Sequence, residues 1–235
     1  QDFMHVLLRS ADHLLRLFYP SLCLACQDTL PQSDMQLCLN CQSKLPFSTL
    51  HETPQNLFTQ RFYGRVPIQT GAACFYFVKG GKVQQLIHHL KYSHKPYVGF
   101  HWGKIYAKKL AQEAHFRTVH CIVPVPLHWK KERLRGYNQA AAISRGLAEG
   151  MGKLHLPKAL QRNAYASSQT QKGKIARLNN VEEAFSVAQK KELAGKHVLL
   201  VDDVMTSGAT LEACALPILE LPDTKVSMVT LAMAL

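Results

Sequence analysis

Three stretches of the chain, "HCIVPVP" at 120–126, "HVLLV" at 197–201 and "KVSMVTLAMA" at 225–234, are apolar at nearly every position instead of every second one. A strand of that kind must be covered on both sides. That is the condition of a parallel sheet flanked by helices, since an antiparallel sheet with one wet face would alternate. The segments between have helical period. "GAACFYFVKG" from residue 71 reads as a further strand. A helix comes next over "GKVQQLIHHLKY", with Val83, Leu86, Ile87 and Leu90 on one side, and "HWGKIYAKKLAQEAH" reads as a second helix. After the strand at 120–126 come a basic loop, the helix "NQAAAISRGLAEGM", a short strand near 158–161 and a polar stretch to about residue 182. The expectation is an α/β chain, a mostly parallel sheet with helices on both faces, whose ligands sit at the carboxyl ends of the strands. Pro217 lies inside the helix expected from about residue 209 and should kink or shorten it.

The N-terminal fifth has no such pattern. Cys23, Cys26, Cys38 and Cys41 form two C-x2-C pairs separated by eleven residues. Two such pairs can present four thiolates tetrahedrally to Zn²⁺, closing a structural site that stabilises a segment too short for its own core. The alternatives are disulfides, against which the expected lack of a secretory signal speaks, and scattered reduced cysteines, against which the paired spacing speaks. The single cysteines at 74, 121 and 214 stand in apolar runs and read as small buried hydrophobes. Ahead of the cysteines, "FMHVLLRSADHLLRLF" at 3–18 reads as an amphipathic packing helix. After them, the proline and hydroxyl content of "PFSTLHETPQNL" at 46–57 reads as a linker. The expected division is residues 1–50 for the helix and zinc segment and 51–235 for the larger domain. No window reaches the length of a membrane span.

The charge is concentrated. Residues 79–178 hold 19 Lys and Arg against Glu113, Glu132 and Glu149, a net of +16 in a chain of +12 overall. A basic middle of this kind suits a polyphosphate, a nucleic-acid backbone or both. Against it stands "VLLVDDVMTSGAT" at 198–210, where a buried strand ends in Asp202 and Asp203. Two carboxylates projecting over the sheet edge can accept hydrogen bonds from sugar hydroxyls. Val204, Met205, Thr206, Ser207, Gly208, Ala209 and Thr210 then lead into a helix N-terminus with backbone N–H groups, hydroxyls and a glycine for close approach, a phosphate cradle. Neither the Walker loop nor the dinucleotide glycine fingerprint is present. A diol beside a monophosphate describes a ribose 5-phosphate; the alternative is an acidic turn that caps a helix.

"VLLVDDVMTSGAT" resembles the 5-phosphoribosyl-1-pyrophosphate (PRPP) motif of type I phosphoribosyltransferases. "IVPVPLHWKKERLRGYNQA" and "RNAYASSQTQKGKIARLNNVEEAF", together with the four cysteines, resemble the ComF family of competence-associated proteins over essentially the whole chain. In detail Ser207 replaces a usual threonine, Tyr137 a phenylalanine, and His94 stands where glycine is common. The resemblance implies a type I phosphoribosyltransferase-like fold. It implies that Asp202 and Asp203 take the ribose hydroxyls, with Asp203 beside the positive charge developing at C1′, and that Thr206 to Thr210 take the 5-phosphate. Val125, Pro126 and Leu127 would approach the pyrophosphate, with Arg133 and Arg135 as anion partners. Arg162, Lys172, Lys174 and Arg177 would lie on a loop closing over the site. Mg²⁺ would come mainly on ligand oxygens.

Two functions are compatible with these residues. One is that of a cytoplasmic phosphoribosyltransferase whose acceptor no residue announces. The other is that of a non-catalytic PRPP-sensing protein that handles single-stranded DNA during uptake, beside other DNA-uptake proteins. For the second, Lys91, Lys95, Lys104 and Lys108 interleave with Tyr92, Tyr97, Phe100, Trp102 and Tyr106, as a base-stacking groove requires; the same aromatics at helical spacing could equally be core.

Overall fold

The computed structural model describes residues 20–31, 36–163 and 184–235. The helix expected over 3–18 and the loop residues Lys172, Lys174 and Arg177 lie outside the described residues. Seven strands are present among them: β1 (Gly71–Phe77), β2 (Cys121–Pro124), β3 (Leu154–His155), β4 (Leu160–Arg162), β5 (Phe185–Val187), β6 (His197–Met205) and β7 (Lys225–Ala234). Five form one sheet in the order β1-β7-β6-β2-β3, parallel at every pairing. The unbroken apolar runs became β2, β6 and β7, and Val198 to Val201 and Val226 to Val229 are essentially inaccessible. The parallel α/β architecture read from the sequence is the one observed.

Five helices build or support the carboxyl edge of this sheet: α1 (Lys82–Tyr92), α2 (Pro96–Leu110), α3 (Trp129–Arg135), α4 (Gln139–Met151) and α5 (Ala209–Leu219). Helices α2 and α4 pack against each other, α4 on β2 and β6 and α2 on β7, whereas α5 packs on β5, β6 and β7. The α2–α4 contact is unusually close. A Cβ on Gly103 would lie 2.3 Å from the Ile143 carbonyl oxygen, and one on Gly146 would lie 2.1 Å from that of Phe100. Both obstacles are backbone, so even a methyl group would have to separate the helices. Overpacking of this kind typically costs about 1–3 kcal/mol and outweighs the roughly 1 kcal/mol that glycine concedes in helix propensity.

The segment expected as a linker is part of the packing. Ser48 N–H donates to the Cys74 carbonyl at 2.9 Å and Tyr76 N–H to that of Pro46 at 2.9 Å, so 46–48 covers the free edge of β1. Asn56 caps the short helix Leu57–Gln60, accepting from Phe58 N–H at 2.8 Å, while its amide donates to the Gly71 carbonyl at 2.9 Å. Leu50, Phe58, Phe62 and Val66 are buried. The polar and proline content is spent on capping and turning, and the sparse apolar residues do the docking.

Other elements differ from expectation for identifiable reasons. The basic loop "HWKKERLRG" is largely helix α3, capped by the His128 ring accepting from Lys130 N–H at 3.2 Å and ended by Gly136 at φ +76. No residue of α3 is buried, so it leaves no apolar stripe. The second helix starts earlier than read, at Pro96, because a proline suits the first helical turn. The short strand near 158–161 is β4, which pairs antiparallel with β5 away from the main sheet. Helix α5 runs through Pro217 and ends two residues later, at Leu219. At the foot of the sheet His197 shares hydrogen bonds with the hydroxyls of Thr118 (2.9 Å) and Ser227 (2.8 Å), and burial, foremost, lowers its pKa to about 4.

Candidate functional site

Strand β6 does not end at the acidic pair. Val204 and Met205 keep the ladder going opposite Ala232 and Met233, so both carboxylates lie within the strand instead of beyond it. Adjacent strand residues point to opposite faces. Asp203 meets α1, where Lys91 Nζ stands 3.0 Å from its Oδ2. Asp202 meets α5, near enough for the buried Cys214 thiol to be raised by its charge as well as, chiefly, by burial. Asp202 Oδ1 accepts from the Asp203 N–H at 2.8 Å. Burial, and after it the Asp203 carboxylate, push the Asp202 carboxyl up to about 7, against the lowering effect of that N–H and of Lys91.

Beyond Met205 the chain turns outward. Thr206, Ser207, Ala209 and Thr210 are exposed, whereas the Met205 side chain belongs to the core and offers only backbone here. Gly208 adopts φ +79 at the N-cap of α5. Glycine tolerates this left-handed conformation, and the turn leads into a helix N-terminus, an end that favours an anion.

The chain after β2 lies alongside. Val125 N–H donates to the Val201 carbonyl at 2.8 Å, and Asn138, the N-cap of α4, donates its amide to the Val125 carbonyl at 2.9 Å. The turn Val125, Pro126 and Leu127 is thereby pinned one strand away from Asp202. Arg135 donates to the Gln139 amide oxygen at 2.7 Å and sits 5.6 Å over the Tyr92 ring. Arg133 is exposed on α3. Tyr137 donates its hydroxyl to the Leu90 carbonyl, which ties this loop to the end of α1 that carries Lys91. His94, at φ +50, packs beside Gly136. Arg162, on β4, lies 5.3 Å over Phe185. The groups around the acidic pair are therefore brought together from β6, α1, the 125–139 stretch and β4.

Of the lysines read as one nucleic-acid set, two are held in ion pairs and Lys108 is exposed. Lys91 is committed to Asp203, Lys95 is the N-cap residue of α2, and Lys104 pairs with Glu149. Trp102 and Tyr106 are core residues, at 1% and 2% exposure, because they lie on the face of α2 turned to the sheet. Phe100 remains half-buried between Lys104 at 5.9 Å and Arg145 at 5.6 Å.

At the N-terminal end, the sulfurs of Cys23, Cys26, Cys38 and Cys41 all lie within 4.8 Å of one another. None of the seven cysteines is in a disulfide. Around the cluster, Cys38 N–H points to Cys23 Sγ at 3.4 Å and Lys82 Nζ donates to Cys41 Sγ at 3.0 Å. Burial opposes ionisation of Cys23, but the N–H groups of Cys26, Cys38 and Ala25 prevail and bring its thiol down to about 6. Four soft donors this close, backed by N–H and ammonium groups, have the make-up of a metal site.

Sequence reasoning missed Phe62 and Arg65, which support the 206–210 turn from behind, and the commitment of Lys91 to Asp203. Nothing local signals either, since their partners are more than a hundred residues away.

Residues 135–231 match the family profile of the phosphoribosyl transferase domain. Competence protein F of Haemophilus influenzae is 37% identical over 91 residues, 38% of this chain and 40% of that protein. Competence protein ComFC of Bacillus subtilis is 31% identical over 112 residues, 48% of this chain and 42% of that protein. The matches span about two fifths of the length of these relatives. Two solved structures show a partial likeness. Glutamine PRPP amidotransferase from B. subtilis, complexed with ADP and GMP, has a TM-score of 0.41 at 23% identity, covering 57% of this chain and 26% of that one. The allosteric regulatory enzyme of purine biosynthesis has 0.45 at 20%, covering 62% and 30%. Among the described residues no helix is long and apolar enough to cross a membrane.

The acidic pair makes a testable demand on stability. A carboxyl whose folded pKa is raised from near 4 to about 7 favours the folded state at low pH and loses that advantage as pH climbs through this interval. Replacing Asp202 by asparagine removes the loss. Thermal unfolding should therefore show Asp202→Asn more stable than the parent at pH 8, the gap closing as pH falls towards 4. A gap that stays constant over this range would contradict the burial argument.

Proposed function

We propose that the chain is a ComF-type, competence-associated protein in which residues 51–235 form a PRPP-binding, phosphoribosyltransferase-like domain and residues 1–50 a zinc-bearing module. The observation that carries the first part is the placement of Asp202 and Asp203 in the last residues of a buried central strand, followed directly by an open turn at the N-terminus of α5. Two carboxylates can hold the ribose 2′ and 3′ hydroxyls while the N–H groups and hydroxyls of Thr206 to Thr210 hold the 5-phosphate. The pinned turn Val125 to Leu127 faces the pyrophosphate, with Arg133 and Arg135 as the cations that neutralise it and Arg162 on the stretch that closes over the site. Asp203, already paired with Lys91, would remain next to the ribose carbon that gains positive charge as pyrophosphate leaves, an electrostatic contribution to catalysis. Mg²⁺, arriving on the oxygens of the ligand, would shield the diphosphate.

PRPP with Mg²⁺ should bind in calorimetric titration, and Asp203→Ala should weaken it by on the order of 1–3 kcal/mol, the range for leaving a polar partner unpaired. Equal affinity of the parent and a double Asp202→Ala, Asp203→Ala variant would refute the assignment. Turnover with candidate acceptors, followed by mass spectrometry, distinguishes an enzyme from a sensor.

For the N-terminal module, the compact four-sulfur cluster supports zinc in a purely structural role, because four thiolates leave no open coordination position. Elemental analysis should find about one zinc per chain. Cys23→Ser should lower that content and loosen the segment while the sheet stays folded; zinc-free protein from metal-replete medium would count against the site.

A second reading, single-stranded DNA binding, is favoured by Phe100 lying between Lys104 and Arg145 on an exposed basic surface. Log affinity for an oligodeoxynucleotide should then fall linearly with log salt, with a slope near −0.7 per phosphate neutralised. Lys104→Glu with Lys108→Glu should weaken this binding and leave PRPP affinity intact. An unchanged salt series for that variant would remove the reading.

A further inference from the structure

The turn 206–210 does not stand alone. Behind it lies the 46–66 wrap, and two side chains of this wrap reach it. The Phe62 ring, 1% exposed, fills the space beside Gly208 so completely that a Cβ there would come within 2.9 Å of it. Arg65 extends past Phe62, its guanidinium 6.0 Å from the ring centre. One guanidinium nitrogen donates to the Ser207 carbonyl at 3.0 Å and to the Arg61 carbonyl at 3.0 Å, and the other pairs with the Glu212 carboxylate. A single planar group thus holds a backbone carbonyl of the turn, its own short helix and the first turn of α5.

The pairing with Glu212 has an electrostatic side. Glu212 lies in the first turn of α5, the end where helix dipole and free N–H groups favour an anion. With no partner, its carboxylate would oppose a phosphate arriving at the same end. Arg65 cancels that charge. By holding the Ser207 carbonyl it also keeps that oxygen turned to the rear, with the N–H side of the turn facing outward.

We propose that Arg65 is a positioning residue for the 5-phosphate. It orients the 206–210 turn and neutralises Glu212 without touching the ligand. This rests on the reading of the turn as the 5-phosphate subsite, and it separates ligands by which phosphate they carry. Arg65→Ala should weaken ribose 5-phosphate and PRPP by roughly ten- to hundredfold, as loss of one charge-assisted contact implies. Binding of inorganic pyrophosphate should stay unchanged, because its side of the site is built by the 125–139 stretch. Arg65→Lys retains the charge but lacks the planar fork that serves two acceptors, so it should restore only part of the affinity. Adding Glu212→Gln to Arg65→Ala should also restore part, since it removes the uncompensated carboxylate.

Calorimetric titration of the full chain with ribose 5-phosphate, PRPP and pyrophosphate, each with Mg²⁺, reads all three effects. Arg65 is about one-third exposed, so these variants should keep the fold, and Arg65→Lys gives a reading even if alanine loosens the wrap. Selective loss of the 5-phosphate ligands with partial rescue supports the positioning role. Equal loss for pyrophosphate, or unchanged ribose 5-phosphate affinity in both Arg65 variants, overturns it while PRPP binding by the parent stands. A parent that binds neither ribose 5-phosphate nor PRPP removes this inference together with the function it deepens.

Discussion

Strand β6 is hydrogen-bonded along both edges, to β7 over most of its length and to β2 over its first half, and it is covered on both faces. Every group of the candidate site is positioned by reference to it. The ladder with β7 carries the backbone two residues past the acidic pair, which sends one carboxylate to each face. The ladder with β2 places the turn 125–127 beside them through the bond from Val125 to Val201. Helix α5 begins where the sheet ends, so its N-terminus follows the carboxylates closely in the chain. Both arise first from the pairing of a buried strand with its neighbours, and side chains then hold them, Asn138 on the turn 125–127 and Arg65 on the turn ahead of α5.

The interior stretches of that strand were legible because their apolar pattern has one physical solution. The same holds for β2, β7 and the cysteine pairs, where local spacing and burial determine the outcome. Legibility failed where structure is decided by partners distant in sequence. Helix α3 buries nothing and is held by its caps, so its composition looks like that of a loop. The 46–66 wrap has few apolar residues, but Phe58 and Phe62 are wholly buried, and its polar residues satisfy caps and strand edges. Lys91 reads as one cation among many until the fold brings Asp203 to it, and of the aromatics among the lysines of α2, Trp102 and Tyr106 go to the core once the face of the helix is fixed while Phe100 stays beside Lys104.

The electrostatics of the site are those of a structure holding more charge than its surroundings welcome. Two adjacent carboxylates are partly withdrawn from water, one balanced by Lys91 and the other raised by burial. Such a pair costs stability in the absence of a partner that donates hydrogen bonds or carries positive charge, which is the usual relation between a binding site and the fold that supports it. Arg65 and Glu212 repeat the theme behind the turn, where a cation from the wrap offsets an acid placed at an anion-favouring helix end.

Helix α1 carries a different kind of constraint. At its first residue Lys82 donates to a sulfur of the cysteine cluster, and near its last Lys91 meets Asp203. The two lysines are nine positions apart, an axial rise of about 13–14 Å at 1.5 Å per residue. The helix therefore acts as a ruler between the two clusters. One inserted or deleted residue would turn either lysine by about 100° about the axis and break one of the contacts. Length, more than the identity of exposed residues such as Gln85, is what this part of the sequence must preserve.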